Sequence, residues 1–173
     1  MRVIAVAALL TAAAGIAGAQ TPSTQKTAVL KNGAGATIGQ VTLTDAPRGV
    51  LLRVEASGLA PGWHGIHFHE KGDCSDPAFK MAGGHVHQMS PAVHGLFNPQ
   101  ANDLGDLPNL YAGPDGKANA EFYTTFVAMH DGTARANLLD ADGSAVVIHA
   151  HADDLTTQPI GGAGDRVACG VVK

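Results

Sequence analysis

The sequence predicts an all-β fold, a sandwich or barrel of about eight antiparallel strands with two long functional loops. Three observations lead there. Helix-period apolar patterning is almost absent, short runs of alternating or β-branched residues recur between turn signals, and 22 glycines punctuate the chain. Residues 27–31 (TAVLK) and 36–44 (ATIGQVTLT) are β-branched runs joined across Lys31-Asn32-Gly33, where glycine makes a positive φ cheap. Residues 50–57 (VLLRVEAS) alternate apolar with charged side chains, and 66–70 (IHFHE) alternate apolar with histidine. Strands are further expected over 118–124 and 134–139. The last two are 145–150 (AVVIHA), entered through the glycine-closed turn Asp140-Ala141-Asp142-Gly143, and 166–171 (RVACGV).

Two stretches, 71–117 and 151–165, are broken by Gly, Pro, Asp and Asn every few residues and read as loops. A loop as long as the first is uncommon in a compact domain unless it is functional or disordered. Composition argues for function, because every histidine except His130 lies between His64 and His94 or at His149 and His151, on or beside these loops.

The first nineteen residues set the compartment. Arg2 precedes an apolar run from Val3 to Ile16, and Ala17-Gly18-Ala19 follows, the layout of a cleavable secretory signal peptide. No lipobox cysteine accompanies it, so no membrane anchor is expected, and residues 20–173 are expected to form one domain. Lys and Arg number 11 against 15 Asp and Glu, and the leader takes Arg2 with it, leaving a net charge of −5 with the cations scattered. Nucleic acid, which is recognised through clustered basic residues, is therefore not an expected partner. Cys74 and Cys169, an even count in an exported chain, are expected to pair, the alternative being two buried thiols.

His67 and His69 are two apart in a strand, so both rings point to one face and can share a metal. A His-x-His alone is equally compatible with two solvent-facing rings. Near the same loops stand His85, His94, Asp103, Asp106 and His149, all able to bind a divalent ion, and together they exceed the ligands of one site.

Four separated motifs in this order resemble the copper/zinc superoxide dismutases, specifically the exported bacterial type. His64-Gly65-Ile66-His67-Phe68-His69-Glu70-Lys71-Gly72-Asp73-Cys74 resembles the family's first copper strand. Gly84-His85 is similar to the bridging histidine, and His94-Gly95 with Gly105-Asp106-Leu107-Pro108-Asn109 to the zinc loop. Val147-Ile148-His149-Ala150 with Asp153-Asp154, and Gly164-Asp165-Arg166-Val167-Ala168-Cys169-Gly170, resemble the last copper ligand and the arginine strand. The resemblance implies a Greek-key barrel and copper held by His67, His69, His85 and His149. It implies zinc at His85, His94, Asp103 and Asp106, with Asp153 orienting ligands of both ions. His85 and Arg166 would be the catalytic residues, superoxide the substrate, and the periplasm or the exterior the location. A homodimer is left open.

The sequence departs from the family twice. Asp103 stands where the zinc loop usually has histidine, giving either a two-His, two-Asp site or a weak one. The stretch from His85 to His94 is longer than usual, and His87 within it reads as a loop histidine open to water rather than a compensating ligand. His64 reads as a structural residue at the barrel end, and His151, with Lys71 or Lys80, as a source of positive potential at the mouth. The alternative function is copper storage on a dismutase scaffold. A zinc hydrolase is disfavoured because Glu70-Lys71-Gly72, not an Asp-His pair, follows His69.

Overall fold

The structure is a computed structural model, which describes residues 24–173; the leader read at 1–19 lies outside the described residues. The strands are β1 (Gln25–Asn32), β2 (Thr37–Ala46), β3 (Gly49–Ala56), β4 (Gly62–His64), β5 (Ile66–His69), β6 (Leu110–Ala112), β7 (Ala118–Thr124), β8 (Val127–Ala128), β9 (Ala136–Asn137), β10 (Ser144–His149) and β11 (Arg166–Val172). Seven form one antiparallel sheet in the order β5-β10-β11-β1-β2-β3-β7, flanked by the pairs β4-β6 and β8-β9. Strands β1, β2 and β3 run as a meander. Strand β11 returns from the far end of the chain to lie beside β1, the return connection of a Greek key.

Period-2 alternation builds the core. Ala28 and Leu30 on β1, Val41 and Leu43 on β2, and Val50, Leu52 and Val54 on β3 are fully buried, while Arg53 and Glu55 on either side of Val54 face solvent. Each large apolar side chain so removed from water contributes about 1.5–3 kcal/mol. Strands β5 and β10 are buried on both faces. Ile66, Phe68, Val146 and Ile148 join the main core, whereas Ala145 and Val147 pack on the other side with Phe79, Ala82 and Cys169. That second cluster surrounds the Cys74–Cys169 disulfide, with Cα atoms 5.8 Å apart, which ties the start of the 71–117 segment to β11.

Several expectations are corrected in detail. The turn after β1 puts positive φ at Gly35 (80°) instead of Gly33, and Asn32 Oδ1 accepts the Ala34 and Ala36 N–H groups to close it. Gly33 serves a close approach, since a Cβ there would lie 2.6 Å from Pro77 O. The Asp140–Gly143 turn does form, with the Gly143 N–H donated to Asp140 O, but it joins strands of different sheets and is no hairpin. The strand expected over 134–139 shrinks to β9, which pairs parallel with β8. Strands β4, β6 and β8 are too short to leave a periodic pattern.

Candidate metal centre

Strand β5 aims Ile66 and Phe68 into the core, so pleat alternation sends His67 and His69 to the opposite face. On β10 Val147 lies opposite His67, and His149, two residues on, is brought to the same side at the end of the strand. The segment 82–87 doubles back along the free edge of β5, with Val86 N–H donated to Phe68 O and His85 bridged to His69. The segment 103–106 adds a further layer, as Phe68 N–H donates to Gly105 O and Leu104 N–H to Val86 O. What reads as loop in the sequence is thus laid down as extra strand-like edges, each delivering a ligand-type side chain.

The four histidines of the first cluster share one feature. Each has one ring nitrogen committed and one without a partner: His67 Nδ1, His69 Nε2, His85 Nε2 and His149 Nε2 are buried and unbonded. Their other nitrogens are fixed. His67 Nε2–H donates to Asp153 Oδ2 (2.9 Å), His69 Nδ1–H to Gly83 O (3.0 Å) and His149 Nδ1–H to Gly164 O (3.0 Å). His85 Nδ1 meets Asp103 Oδ2 at 2.7 Å. One buried unpaired polar atom costs about 1–3 kcal/mol, and four ligand-type nitrogens from these residues lie within 4.8 Å of one another. Burial pushes His67 and His69 down and His149 down to about 3, so their free nitrogens carry lone pairs at neutral pH. An all-imidazole, water-poor donor set of this kind fits copper.

The second cluster is anionic. His94 Nδ1 meets Asp106 Oδ1 at 2.7 Å and Asp103 Oδ2 at 3.7 Å, and His85 Nδ1 meets the same two oxygens at 3.4 Å and 2.7 Å. A tetrahedral zinc with bonds of about 2.0–2.1 Å has ligand atoms about 3.3 Å apart, and these four imidazole–carboxylate separations, 2.7 to 3.7 Å, bracket that spacing. By proximity alone His67 groups with His85, His94 and Asp106. His67 offers Nε2 to Asp153, however, and its free Nδ1 belongs to the first cluster, whereas Asp103 Oδ2 lies beside the Nδ1 of both His85 and His94. Backbone N–H groups hold the outer oxygens of both carboxylates, Gly105 on Asp103 Oδ1 (2.9 Å) and Gly95 on Asp106 Oδ2 (2.7 Å). Burial pulls the His85 and His94 rings down, but hydrogen bonds to Asp103 and Asp106 outweigh it and raise both, His94 to about 11 with help from Asp153. The two carboxylates thus favour positive charge here, carried by protons on the rings or by a metal cation held between them.

Asp153 joins the clusters, accepting from His67 at Oδ2 and from His94 Nε2 at Oδ1 (3.0 Å). Asn109 holds its main chain, donating to Asp153 O (2.7 Å) and accepting its N–H (2.8 Å). Arg166 donates from Nη1 to Phe79 O (2.5 Å) and from Nη2 to Gly83 O (2.6 Å), the carbonyl that also fixes His69.

A family profile for "Copper/zinc superoxide dismutase (SODC)" matches residues 37–172. The chain belongs to the copper/zinc superoxide dismutase family. The "Superoxide dismutase [Cu-Zn]" of Caulobacter vibrioides is 60% identical over 147 residues, 85% of this chain and 84% of that one. A crystal structure of a SOD-like protein from Bacillus subtilis superposes with a TM-score of 0.78 at 35% identity, over 85% of this chain and 97% of that one. The Cu/Zn superoxide dismutase from Brucella abortus gives 0.69 at 27% identity, over 87% and 100%. The family's two cofactors, copper and zinc, match the two donor sets of this dismutase fold.

The remaining histidines are placed as follows. His64 lies between two carbonyls, Nδ1 2.7 Å from His149 O and Nε2 2.7 Å from Ala60 O. His87 is half-buried with Nδ1–H donated to His85 O and belongs to neither group of converging ligand atoms. His151 is exposed, and His130 pairs with Asp45 at the surface. Sequence reasoning gave no role to Asn109 or Gln158, whose side-chain amides bond main-chain atoms remote in sequence, and it missed the carbonyls of Phe79, Gly83 and Gly164, since a main-chain oxygen carries no residue signature.

Proposed function

We propose that the chain dismutes superoxide at the four-histidine cluster, two superoxide anions and two protons giving dioxygen and hydrogen peroxide. His67, His69, His85 and His149 would hold copper, and His85, His94, Asp103 and Asp106 would hold zinc. The reading is carried by the four buried, partnerless imidazole nitrogens converging beside Arg166. Copper, when bound, would supply a one-electron couple that zinc lacks, able to take an electron from one superoxide and return it to another.

The chain's own residues do the rest. Arg166 has two of its N–H groups committed to carbonyls, which locks the fork, and the remaining donors and the charge attract and orient the anion. In a protein of net negative charge, such a local cationic patch focuses the field and can raise on-rates by about 10- to 10³-fold. Whenever His85 Nε2 is free of the metal it can hold one of the two protons and give it to the second superoxide, the other coming from solvent, because Asp103 and Asp106 grip the Nδ1 edge and keep the ring in place. His67, His69 and His149 keep fixed tautomers through Asp153, Gly83 and Gly164. The leader read at 1–19 and the Cys74–Cys169 bridge support work outside the cytoplasm, in the periplasm or beyond.

The test is metal content and superoxide consumption on one sample of mature protein reconstituted with both ions and dialysed. One copper and one zinc per chain with rapid turnover supports the whole reading. Copper and turnover without zinc removes Asp103 as a zinc ligand, and copper without turnover replaces catalysis by copper storage.

A further inference from the structure

His94 is fastened to the 151–165 segment at two places. Its ring reaches Asp153, and its main chain is gripped by Gln158: Oε1 accepts the His94 N–H at 2.9 Å, and Nε2 donates to His94 O at 2.8 Å. One side-chain amide making both bonds to one residue reproduces the paired bonding of a neighbouring strand. The amide is braced in turn, since Nε2 also donates to Thr156 O at 3.1 Å. Alongside, Phe97 N–H donates to Leu155 O, and a Cβ at residue 95 would lie 2.6 Å from that oxygen at a φ of 117°, so Gly95 permits the approach. The same segment carries Asp153 to His67 and the Gly164 carbonyl to His149, then runs into Arg166.

We propose that Gln158 is a positioning residue that couples the second metal site to the seating of segment 151–165 against the copper cluster. The proposal rests on the reading of His94 as a ligand of the second ion. An ion that fixes the His94 ring fixes the residue's main chain, and Gln158 passes that constraint to residues 154–162. By reciprocity, a seated segment presents His94 in its ligand orientation and tightens the ion. Asp153 meets the His94 ring from the start of the segment, where its Oδ1 also accepts the Leu155 N–H, whereas Gln158 grips the His94 main chain from the middle of it. Neither amide atom touches a metal-facing atom, so the effect is on placement and not on the donor set.

The experiment uses mature, copper-loaded protein with and without zinc, comparing wild type, Gln158→Ala and Gln158→Glu. Zinc affinity is read by chelator competition and segment order by hydrogen exchange. In wild type, zinc slows exchange at 154–162. In Gln158→Ala, zinc affinity falls about 10-fold, as for other residues that orient ligands. Zinc's protection of 154–162 disappears, while protection of 103–106 and copper affinity stay. Gln158→Glu keeps the acceptor for His94 N–H, loses the donor for His94 O, and falls between the two. Faster exchange in Gln158→Ala with the same zinc-induced protection marks a merely structural residue and overturns the proposal. A wild type that takes up no zinc overturns the second-site reading and the coupling together, whereas normal zinc uptake with undiminished coupling in Gln158→Ala overturns the coupling alone.

Discussion

In the four-histidine cluster, what fits a buried histidine to a metal is one ring nitrogen left without a partner. His64 and His69 are both buried on neighbouring strands, yet His64 has both nitrogens against carbonyls while His69 keeps Nε2 free. The same reasoning applies to Arg166, whose committed N–H groups set the orientation of the rest. Arg166→Ala is expected to lower kcat/KM about 10-fold and flatten its dependence on ionic strength, whereas Arg166→Lys keeps the salt slope and loses part of the rate. Steady-state rates over a salt series check this, and an unchanged slope in Arg166→Ala would remove the steering role. Asp103→Asn takes one charge from the second cluster, so zinc should bind about 10- to 100-fold more weakly in chelator competition. In chelator-treated protein the two carboxylates are left to stabilise protonated His94, raised from 6.5 to about 11. The folded state then holds a proton the unfolded state releases, so this contribution is complete below pH 6.5 and is lost as pH rises through about 11. The melting temperature of metal-free wild type should therefore fall from pH 6 to pH 10, and Asp103→Asn should show a shallower fall.

At the scale of the element, β5 does two jobs with one alternation. Its apolar pair anchors the strand in the core and thereby fixes the direction of the histidine pair, so packing and metal geometry are coupled by register. Phe68→Ala should cost about 3–5 kcal/mol in denaturant unfolding and also weaken copper retention, although Phe68 lies on the opposite face from the metal. Loss of stability with unaltered copper affinity would show that the strand's register survives without its anchor. This alternation was legible in the sequence, as were the extents of β7 and, to within a residue or two, of β1, β2, β3, β10 and β11, because each runs far enough for its pattern and its turns to agree. Strands β4, β6 and β8 were not, since two or three residues carry no period. The segments 82–87 and 103–106 read as loop because their bonding is to β5 and to each other, partners remote in sequence.

For the whole molecule, the disulfide is the covalent link between the metal-bearing segment and the sheet. It closes a separation of 95 residues, which in the chain-entropy model is worth about 4–5 kcal/mol. Cys74→Ser with Cys169→Ser should lower stability by an amount of that order, measured by denaturant unfolding, and loosen the apolar cluster around Phe79, whose carbonyl holds Arg166. Unchanged stability would mean that packing alone positions the segment. By itself the sequence determined the all-β class, the face on which His67 and His69 lie, the family and the substitution at Asp103, because these depend on residue type and short-range period. Only the tertiary structure decided which nitrogen of each ring is free, which carbonyls lock Arg166, and that Gln158 grips His94. Those facts arise where segments distant in sequence meet, through the carboxylates of Asp153 and Asp103 at His67 and His85 and through main-chain atoms elsewhere, and main-chain atoms are the same at every position of a sequence.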